Sequence, residues 1–268
     1  MIPKKIWQTW KKPYDQLPVV KGNSLRILTE TWKSYNPDYE YNYCDDETCL
    51  GLLKQYDSEL YECVLECDRV NVVSMKADIF RYFVLYRFGG FYADIDTVCY
   101  AAINSWLKPD CRFILSPEDN SFFYQQWFLG AAQGHPLLAV IIANIKRDFK
   151  GGIDYSNPDF VHRYTGPEMF TQTVMKYFNL PYQSKLRELS AGYNKLNSFK
   201  DAGVFIYDDY RFFRDGAPHG VVQHLYASFN WFEDNYDNWR IQRGVINNLP
   251  EDKFRIQTTR KTASKNWW

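Results

Sequence analysis

Two aspartates separated by one residue, Asp94 and Asp96, have the types and spacing best suited to chemistry in this sequence. Side chains at positions i and i+2 of a strand point to the same side, so both carboxylates can reach one cation at a strand end. Mn²⁺ and Mg²⁺ prefer carboxylate, water and phosphate oxygens as ligands. A cation held there would neutralise the charge that develops on a diphosphate leaving group. Two exposed aspartates of a turn would have the same spacing, so the motif alone leaves both interpretations open.

Three other polar residues are candidates for the same site. Asp78 and Arg81 are one helical turn apart, a spacing that is typical of a surface ion pair and also suits a clamp on sugar hydroxyls. His224 stands in an apolar segment, where a histidine is usually a partly buried structural residue. A neutral imidazole can also complete a metal shell made of carboxylates. Spacing alone favours the structural alternative for all three.

The elements that must position these residues alternate along the chain. Apolar periodicity predicts a helix over residues 74–90 that ends at Gly89-Gly90, and a strand over 91–93 that delivers Asp94 at its end. Further strands are predicted over 2–10, 39–43, 113–115, 204–207 and 221–226, and further helices over 24–36, from Asp45 or Asp46, from Ser58 to Cys67, over 137–149 and over 171–178. The alternation predicts an α/β sheet with helices on its faces, in which ligands lie beyond the carboxyl ends of strands.

Composition and charge restrict the class of protein. The chain has 268 residues, of which 46% are hydrophobic and 18% aromatic, so it can bury a large core and disorder is not expected. The aromatic residues also suit a cleft in which rings stack on sugars. Formal net charge is zero, with 32 basic and 32 acidic residues. The positive field of a nucleic-acid-binding protein is therefore not expected.

Cysteine spacing and hydropathy bear on the compartment. None of the six cysteines forms a Cys-x-x-Cys pair, which argues against structural zinc. We find no signal-peptide pattern at Met1 and no apolar stretch long enough to span a membrane, so a cytoplasmic protein with free thiols is the expectation. The basic residues between Lys253 and Lys265, followed by Trp267-Trp268, suit either a frayed end or a peripheral contact with an anionic membrane.

Several motifs together resemble the D-x-D glycosyltransferases of family 32. The central block, which is highly specific, consists of residues 77–82, Leu85-Tyr86 and residues 89–96. The opening run 2–11, the segment 32–39, Thr165-Gly166-Pro167 and the run 224–231 extend the resemblance over most of residues 2–231. The resemblance implies a GT-A type, Rossmann-like mixed sheet flanked by helices. We expect residues 1–232 to form the catalytic domain and residues 233–268 to be a C-terminal extension.

The resemblance also implies an activity and partners. A hexose would be transferred with retention from a UDP- or GDP-sugar to a glycan or another hydroxyl acceptor, with Mn²⁺ or Mg²⁺ as the cofactor. Retention by attack on the front face needs no dedicated base, whereas an inverting enzyme would need a carboxylate base near the acceptor, such as Glu118, Asp119, Asp208 or Asp209. A metal-dependent nucleotide-sugar hydrolase and a non-catalytic carbohydrate-binding protein remain alternatives.

The resemblance assigns roles that reverse the structural reading of the polar residues. Asp96 would ligate the metal, Asp94 would contact the metal or its waters and the donor ribose, and His224 would complete the metal shell. Asp78 and Arg81 would hold the donor sugar. Trp10 would lie near the nucleotide base. Ser228 is a weaker candidate than His224 at the metal site.

The sequence departs from the family pattern at two predicted donor-binding positions. Trp7 stands where the family usually has histidine, and Gln126 stands in a segment that often has asparagine. Golgi members of the family carry a membrane anchor that we do not find in this sequence. A cytoplasmic enzyme of bacterial or viral origin is therefore the expectation.

Overall fold

The central sheet is mixed and six-stranded in a computed structural model, which describes residues 1–20, 23–118, 122–181, 192–207 and 221–224. The strands are β1 (Lys5–Thr9), β2 (Val19–Val20), β3 (Asn23–Ser24), β4 (Glu40–Cys44), β5 (Gly90–Ala93), β6 (Thr97–Cys99), β7 (Phe113–Leu115), β8 (Phe128–Ala131), β9 (Val204–Ile206) and β10 (Val222–His224). The central sheet has the order β4-β1-β5-β8-β7-β9. Strand β8 is antiparallel to both of its neighbours, and the other pairs are parallel.

Helices flank this sheet, as predicted. They are α1 (Leu25–Tyr35), α2 (Asp46–Tyr56), α3 (Ser58–Arg69), α4 (Val73–Phe88), α5 (Pro136–Gly151), α6 (Phe160–Tyr164), α7 (Pro167–Tyr177) and α8 (Asn197–Ala202). The Asp45 carboxylate accepts a hydrogen bond from the Thr48 amide and so caps α2. Helix α3 is capped by Asp57 rather than by Ser58, which is its first helical residue. The mixed α/β architecture predicted from the sequence is confirmed.

Helix α4 is the structural centre of the described chain. Every residue from Asp78 to Leu85 is buried, so the helix is covered on all sides rather than along one stripe. One large core surrounds it, and a second core lies where Trp32, Phe91 and Phe128 stack. Polar residues within this stretch of α4 need partners inside the protein, because little of their surface is exposed to water.

Two glycines allow β5 to start directly after α4. Gly89 and Gly90 have φ values of +68° and +108°, which residues other than glycine rarely adopt. A Cβ atom at Gly90 would also lie 2.6 Å from the carbonyl oxygen of Lys5. The close approach lets β5 pair with β1. Strand β5 ends at Ala93, directly before Asp94, as the sequence predicted.

The six cysteines are all buried and free. None of the helices in the described ranges has the length and apolarity that crossing a membrane requires. The C-terminal extension predicted over residues 233–268, with its basic and tryptophan residues, lies outside the described residues.

Candidate functional site

Asp94 and Asp96 occupy a tight turn between β5 and β6. The Asp94 carbonyl accepts three hydrogen bonds, from the Thr97 amide at 3.1 Å, the Thr97 hydroxyl at 2.6 Å and the Gln8 side-chain amide at 3.1 Å. The turn, rather than the alternation of a strand, brings the two carboxylates to one side. The reason predicted from the spacing is therefore wrong, although the expected position of the pair after β5 is confirmed.

His224 reaches the acidic turn through a second, two-stranded sheet. Strands β6 and β10 are antiparallel, and His224 pairs with Thr97, the residue after Asp96. Its Nε2 atom lies 3.2 Å from Oδ1 of Asp96 and 3.6 Å from Oδ2 of Asp94. The Trp127 ring stacks on the imidazole, with 5.1 Å between ring centroids. A residue 128 positions after Asp96 thus becomes its neighbour.

The three side chains form a group that fits a divalent cation. One ligand atom from each of Asp94, Asp96 and His224 lies within 4.8 Å of the others. Carboxylate oxygen with imidazole nitrogen suits Mn²⁺ and other borderline divalent ions. Burial lowers the pKa of His224, but the charge of Asp96 and hydrogen bonds to both aspartates outweigh it and raise that pKa to about 9. The acidic pair therefore stabilises positive charge at the position of Nε2.

Arg81 connects the acidic turn to α4. Its Nη2 atom lies 3.2 Å from Oδ1 of Asp78 and 3.2 Å from Oδ1 of Asp94, and the guanidinium stands over the Tyr92 ring. The Tyr92 hydroxyl donates to the same Asp94 oxygen at 3.0 Å. Asp78 and Arg81 are each only 6% exposed, so they are not the surface ion pair that spacing alone favoured.

Burial dominates the electrostatics of this pair. It raises the pKa of Asp78 to about 6, against the opposing charge of Arg81 and a hydrogen bond from Thr165. Burial lowers the pKa of Arg81, but the charge of Asp94 and other neighbours outweighs it, so the guanidinium stays charged. The site thus contains a permanent cation beside two carboxylates, which can bind hydroxyls or an anionic group.

Gln126 lies just before β8 and is 5% exposed. Its Nε2 atom donates to the Thr165 carbonyl at 3.0 Å and to the Tyr82 hydroxyl. The Thr165 hydroxyl in turn donates to Oδ2 of Asp78 at 2.8 Å. Two residues predicted to bind the donor, Gln126 and Asp78, therefore share one partner.

The two tryptophans predicted to bind the donor have different positions. Trp7 belongs to the core: it is 5% exposed, its indole donates to the Gly89 carbonyl at 2.9 Å, and it stacks on Phe88. The structure does not bring Trp7 into the acidic group. Trp10, half-buried beyond the end of β1, packs against the apolar cluster that includes Ile95. Its predicted place near a bound nucleotide stays a prediction.

Sequence reasoning missed the residues that hold this site in place. Gln8, Thr97 and Tyr92 contact Asp94. Each carries a polar group within an otherwise apolar strand, and that is the sequence feature that could have identified them. Among the carboxylates considered as a base for an inverting reaction, Glu118 is half-buried within the segment that connects β7 to β8. Ser228, Asp119, Asp208 and Asp209 lie outside the described residues.

Comparison with known proteins places the acidic turn within a known sequence family. Residues 22–113 match the family described as "Glycosyltransferase sugar-binding region containing DXD motif". The initiation-specific alpha-1,6-mannosyltransferase of Candida albicans is 31% identical over 217 residues, with 68% of this chain and 55% of that protein covered. The protein of the same name from Schizosaccharomyces pombe is 32% identical over 204 residues, with 68% and 50% covered. The chain thus spans about half the length of these relatives.

A solved structure titled "PaToxG Glycosyltransferase" is similar with a TM-score of 0.47 and 17% identity, covering 76% of this chain and 79% of that one. The sequence comparisons confirm the resemblance to the D-x-D glycosyltransferases. They also correct one expectation. The cytoplasmic assignment with a bacterial or viral origin is wrong, because the relatives named above are eukaryotic proteins of fungi.

Proposed function

We propose that this chain, whose residues 22–113 belong to the glycosyltransferases with a D-x-D sugar-binding region, is a metal-dependent hexosyltransferase. It takes a hexose from a UDP- or GDP-sugar and transfers it, with retention, to a hydroxyl of a glycan or another acceptor. Mannose is the first sugar to test, since the relatives above are named mannosyltransferases. The observation that carries the proposal is the convergence of Asp94, Asp96 and His224 beside the buried Arg81.

We assign the cation to Asp94, Asp96 and His224, with Mn²⁺ or Mg²⁺ as the ion. When bound, the cation supplies positive charge to the diphosphate of the donor and of the leaving group. Asp96 and His224 are both 7% exposed, so each is held in place by its surroundings before any ligand arrives. Asp94 is more open and is shared with Arg81 and Tyr92, which suits contacts to both ion and donor.

The donor sugar lies, in this proposal, against Asp78, Arg81 and Gln126. Arg81, which lies beside the acidic turn, donates hydrogen bonds to the sugar. Asp78 in its charged form accepts hydrogen bonds from sugar hydroxyls. Trp10, which packs against the cluster that includes Ile95, contacts the nucleotide base in the same proposal. Trp7 is left out of the donor contacts, because its indole is committed to the core.

Retention follows from attack of the acceptor on the same face of the sugar from which the diphosphate departs. The acceptor oxygen forms the new bond to the anomeric carbon as the bond to the phosphate oxygen breaks. The departing phosphate oxygen takes the acceptor proton, so no carboxylate base is required. The role of this chain is to hold the acceptor on the face of the sugar from which the diphosphate departs and to stabilise the leaving charge.

The test is a donor screen followed by one substitution. GDP-mannose, UDP-glucose, UDP-galactose and UDP-N-acetylglucosamine are incubated with protein, Mn²⁺ and a panel of glycans, and product is measured with and without EDTA. We expect one donor to be consumed in a metal-dependent way. Asp96→Ala should abolish that turnover with the circular dichroism spectrum unchanged, whereas Asp38→Ala, at an exposed ion pair with Lys4, should retain it.

Two outcomes would contradict the proposal. Full turnover by Asp96→Ala would remove the metal assignment. Free sugar as the sole product with every acceptor would indicate a nucleotide-sugar hydrolase, which uses the same donor site without transfer.

A further inference from the structure

We infer that Thr165, at the corner between α6 and α7, is a positioning residue that sets the geometry of the donor-sugar contacts. The inference rests on the proposed function, since it assigns the sugar to Asp78, Arg81 and Gln126. Thr165 itself is fully buried, and its hydroxyl bonds Asp78 and the Val161 carbonyl rather than a residue of the cation group. It acts through side chains from two other parts of the chain.

Thr165 uses its hydroxyl and its carbonyl to hold the residues of the proposed sugar contacts. Its hydroxyl donates to Oδ2 of Asp78 at 2.8 Å, and its carbonyl accepts from Nε2 of Gln126 at 3.0 Å. The same carbonyl accepts from the Tyr82 hydroxyl at 3.2 Å, and Tyr82 also binds Gln126. One residue thus joins α4 to the segment before β8, the two elements that present Asp78 and Gln126.

The hydroxyl of Thr165 also decides how Arg81 is shared. Nη2 of Arg81 lies 3.2 Å from Oδ1 of Asp78 and 3.2 Å from Oδ1 of Asp94. With Oδ2 of Asp78 held by Thr165, a single oxygen of that carboxylate is turned to the guanidinium. Without the hydroxyl, the Asp78 carboxylate is free to rotate and to bind Arg81 through both of its oxygens. That two-point contact would draw the guanidinium of Arg81 away from Asp94.

The corner that carries Thr165 is fixed by its own backbone. The amides of Thr165 and Gly166 both donate to the Val161 carbonyl, at 3.1 and 2.7 Å, and Pro167 starts α7. A Cβ atom at Gly166 would lie 2.6 Å from the Cα atom of His162, so this turn needs glycine. The threonine is therefore presented at a set position, rather than on a loop that adapts to its partners.

The experiment compares Thr165→Val with Thr165→Ser, in which the hydroxyl is retained. Thr173→Val is the matched control, because Thr173 is a buried threonine of α7 that bonds Asn144 and Met169. Steady-state turnover is measured with the nucleotide sugar that the wild type consumes, and inhibition with the corresponding nucleoside diphosphate, UDP or GDP. The second measurement reports the cation and nucleotide contacts without the sugar.

We expect Thr165→Val to lose about tenfold to a hundredfold in kcat/KM, the effect of losing a hydrogen bond to a buried charged group. Inhibition by the nucleoside diphosphate should change less than threefold. Thr165→Ser should recover most of the activity, and Thr173→Val should match the wild type. A general loss of folding would weaken both turnover of the nucleotide sugar and inhibition by the nucleoside diphosphate, so it would not produce a loss confined to the first.

Three results would overturn the inference. They are wild-type kcat/KM in Thr165→Val, equal weakening of nucleotide sugar and nucleoside diphosphate, and a serine variant as impaired as the valine variant. If Thr165→Val does not fold, the serine variant and the nucleoside diphosphate measurement still decide, since a packing role predicts loss in serine as well. A wild-type protein that consumes none of the four donors contradicts the proposed function instead.

Discussion

Replacing His224 with glutamine should remove a pH-dependent part of the stability of the metal-free protein. The imidazole titrates near 6.5 in an unfolded chain, whereas the charges of Asp96 and Asp94 overcome burial and raise the pKa to about 9 in the folded one. The folded state therefore prefers the protonated form. The stabilisation is fully present below pH 6.5 and is lost as the pH rises through about 9.

The magnitude follows from the two pKa values of His224. At about 1.4 kcal/mol for each tenfold difference in proton affinity, the change from 6.5 to about 9 amounts to about 3 kcal/mol. The assay is urea unfolding in EDTA at intervals between pH 6 and 9.5, with the wild type and His224→Gln side by side. The wild type should lose about 3 kcal/mol more than the variant over this interval.

His135→Gln is the control for this experiment. Burial lowers the pKa of His135 to about 4, and its ring caps α5 and bonds the Ala202 carbonyl. It stays neutral in the folded protein between pH 6 and 9.5, whereas an unfolded imidazole still binds a proton near pH 6, so the cost of its replacement should rise by less than about 1 kcal/mol up to pH 7.5 and be constant above it, a change opposite in sign to that of His224. Parallel pH profiles for the wild type and His224→Gln would refute the electrostatic reasoning. Added Mn²⁺ should stabilise the wild type more at pH 9 than at pH 6, because the ion competes with the proton for the imidazole.

Two further predictions concern the fold around the site. Gly90→Ala should lower the free energy of unfolding by more than about 2 kcal/mol, because its Cβ would meet the Lys5 carbonyl at a φ of +108°. Gly151→Ala, with open space around the added atom, should be neutral or stabilising in the same urea titration. Trp7→Phe should cost about 1–3 kcal/mol by leaving the Gly89 carbonyl without its indole donor, with an unchanged KM for the donor. Trp10→Phe should instead raise that KM, and a raised KM in Trp7→Phe at wild-type stability would favour the role predicted from the sequence.

The elements that the sequence predicted well are those with a local signal. Helix α4 follows from apolar periodicity and from the Gly89-Gly90 stop, and the acidic turn follows from the strand after it. Strand β8 was missed, because Phe128-Leu129-Gly130-Ala131 lacks the β-branched residues typical of strands. Its antiparallel pairing with β5 is a long-range contact that no local pattern encodes.

Trp7 shows the limit of reasoning from a motif. Its place in the opening strand was predicted correctly, but the residues on each face of that strand depend on which helices cover the sheet. Helix α4 and Phe88 cover the side of Trp7, so its indole is used for packing. The other side carries Gln8, whose amide reaches Asp94.

Residue types and short-range spacing were sufficient to determine the α/β class, the position of Asp94 and Asp96 after a strand, and the one-turn spacing of Asp78 and Arg81. The tertiary structure decided that this last pair is buried, that a turn aligns the two aspartates, and that Thr165 joins Asp78 to Gln126. It also brought His224 to Asp96 through the pairing of β6 with β10. Helix period and glycine conformation act over a few residues and can be read locally. Burial and strand register depend on which distant segments meet, and only the folded chain fixes them.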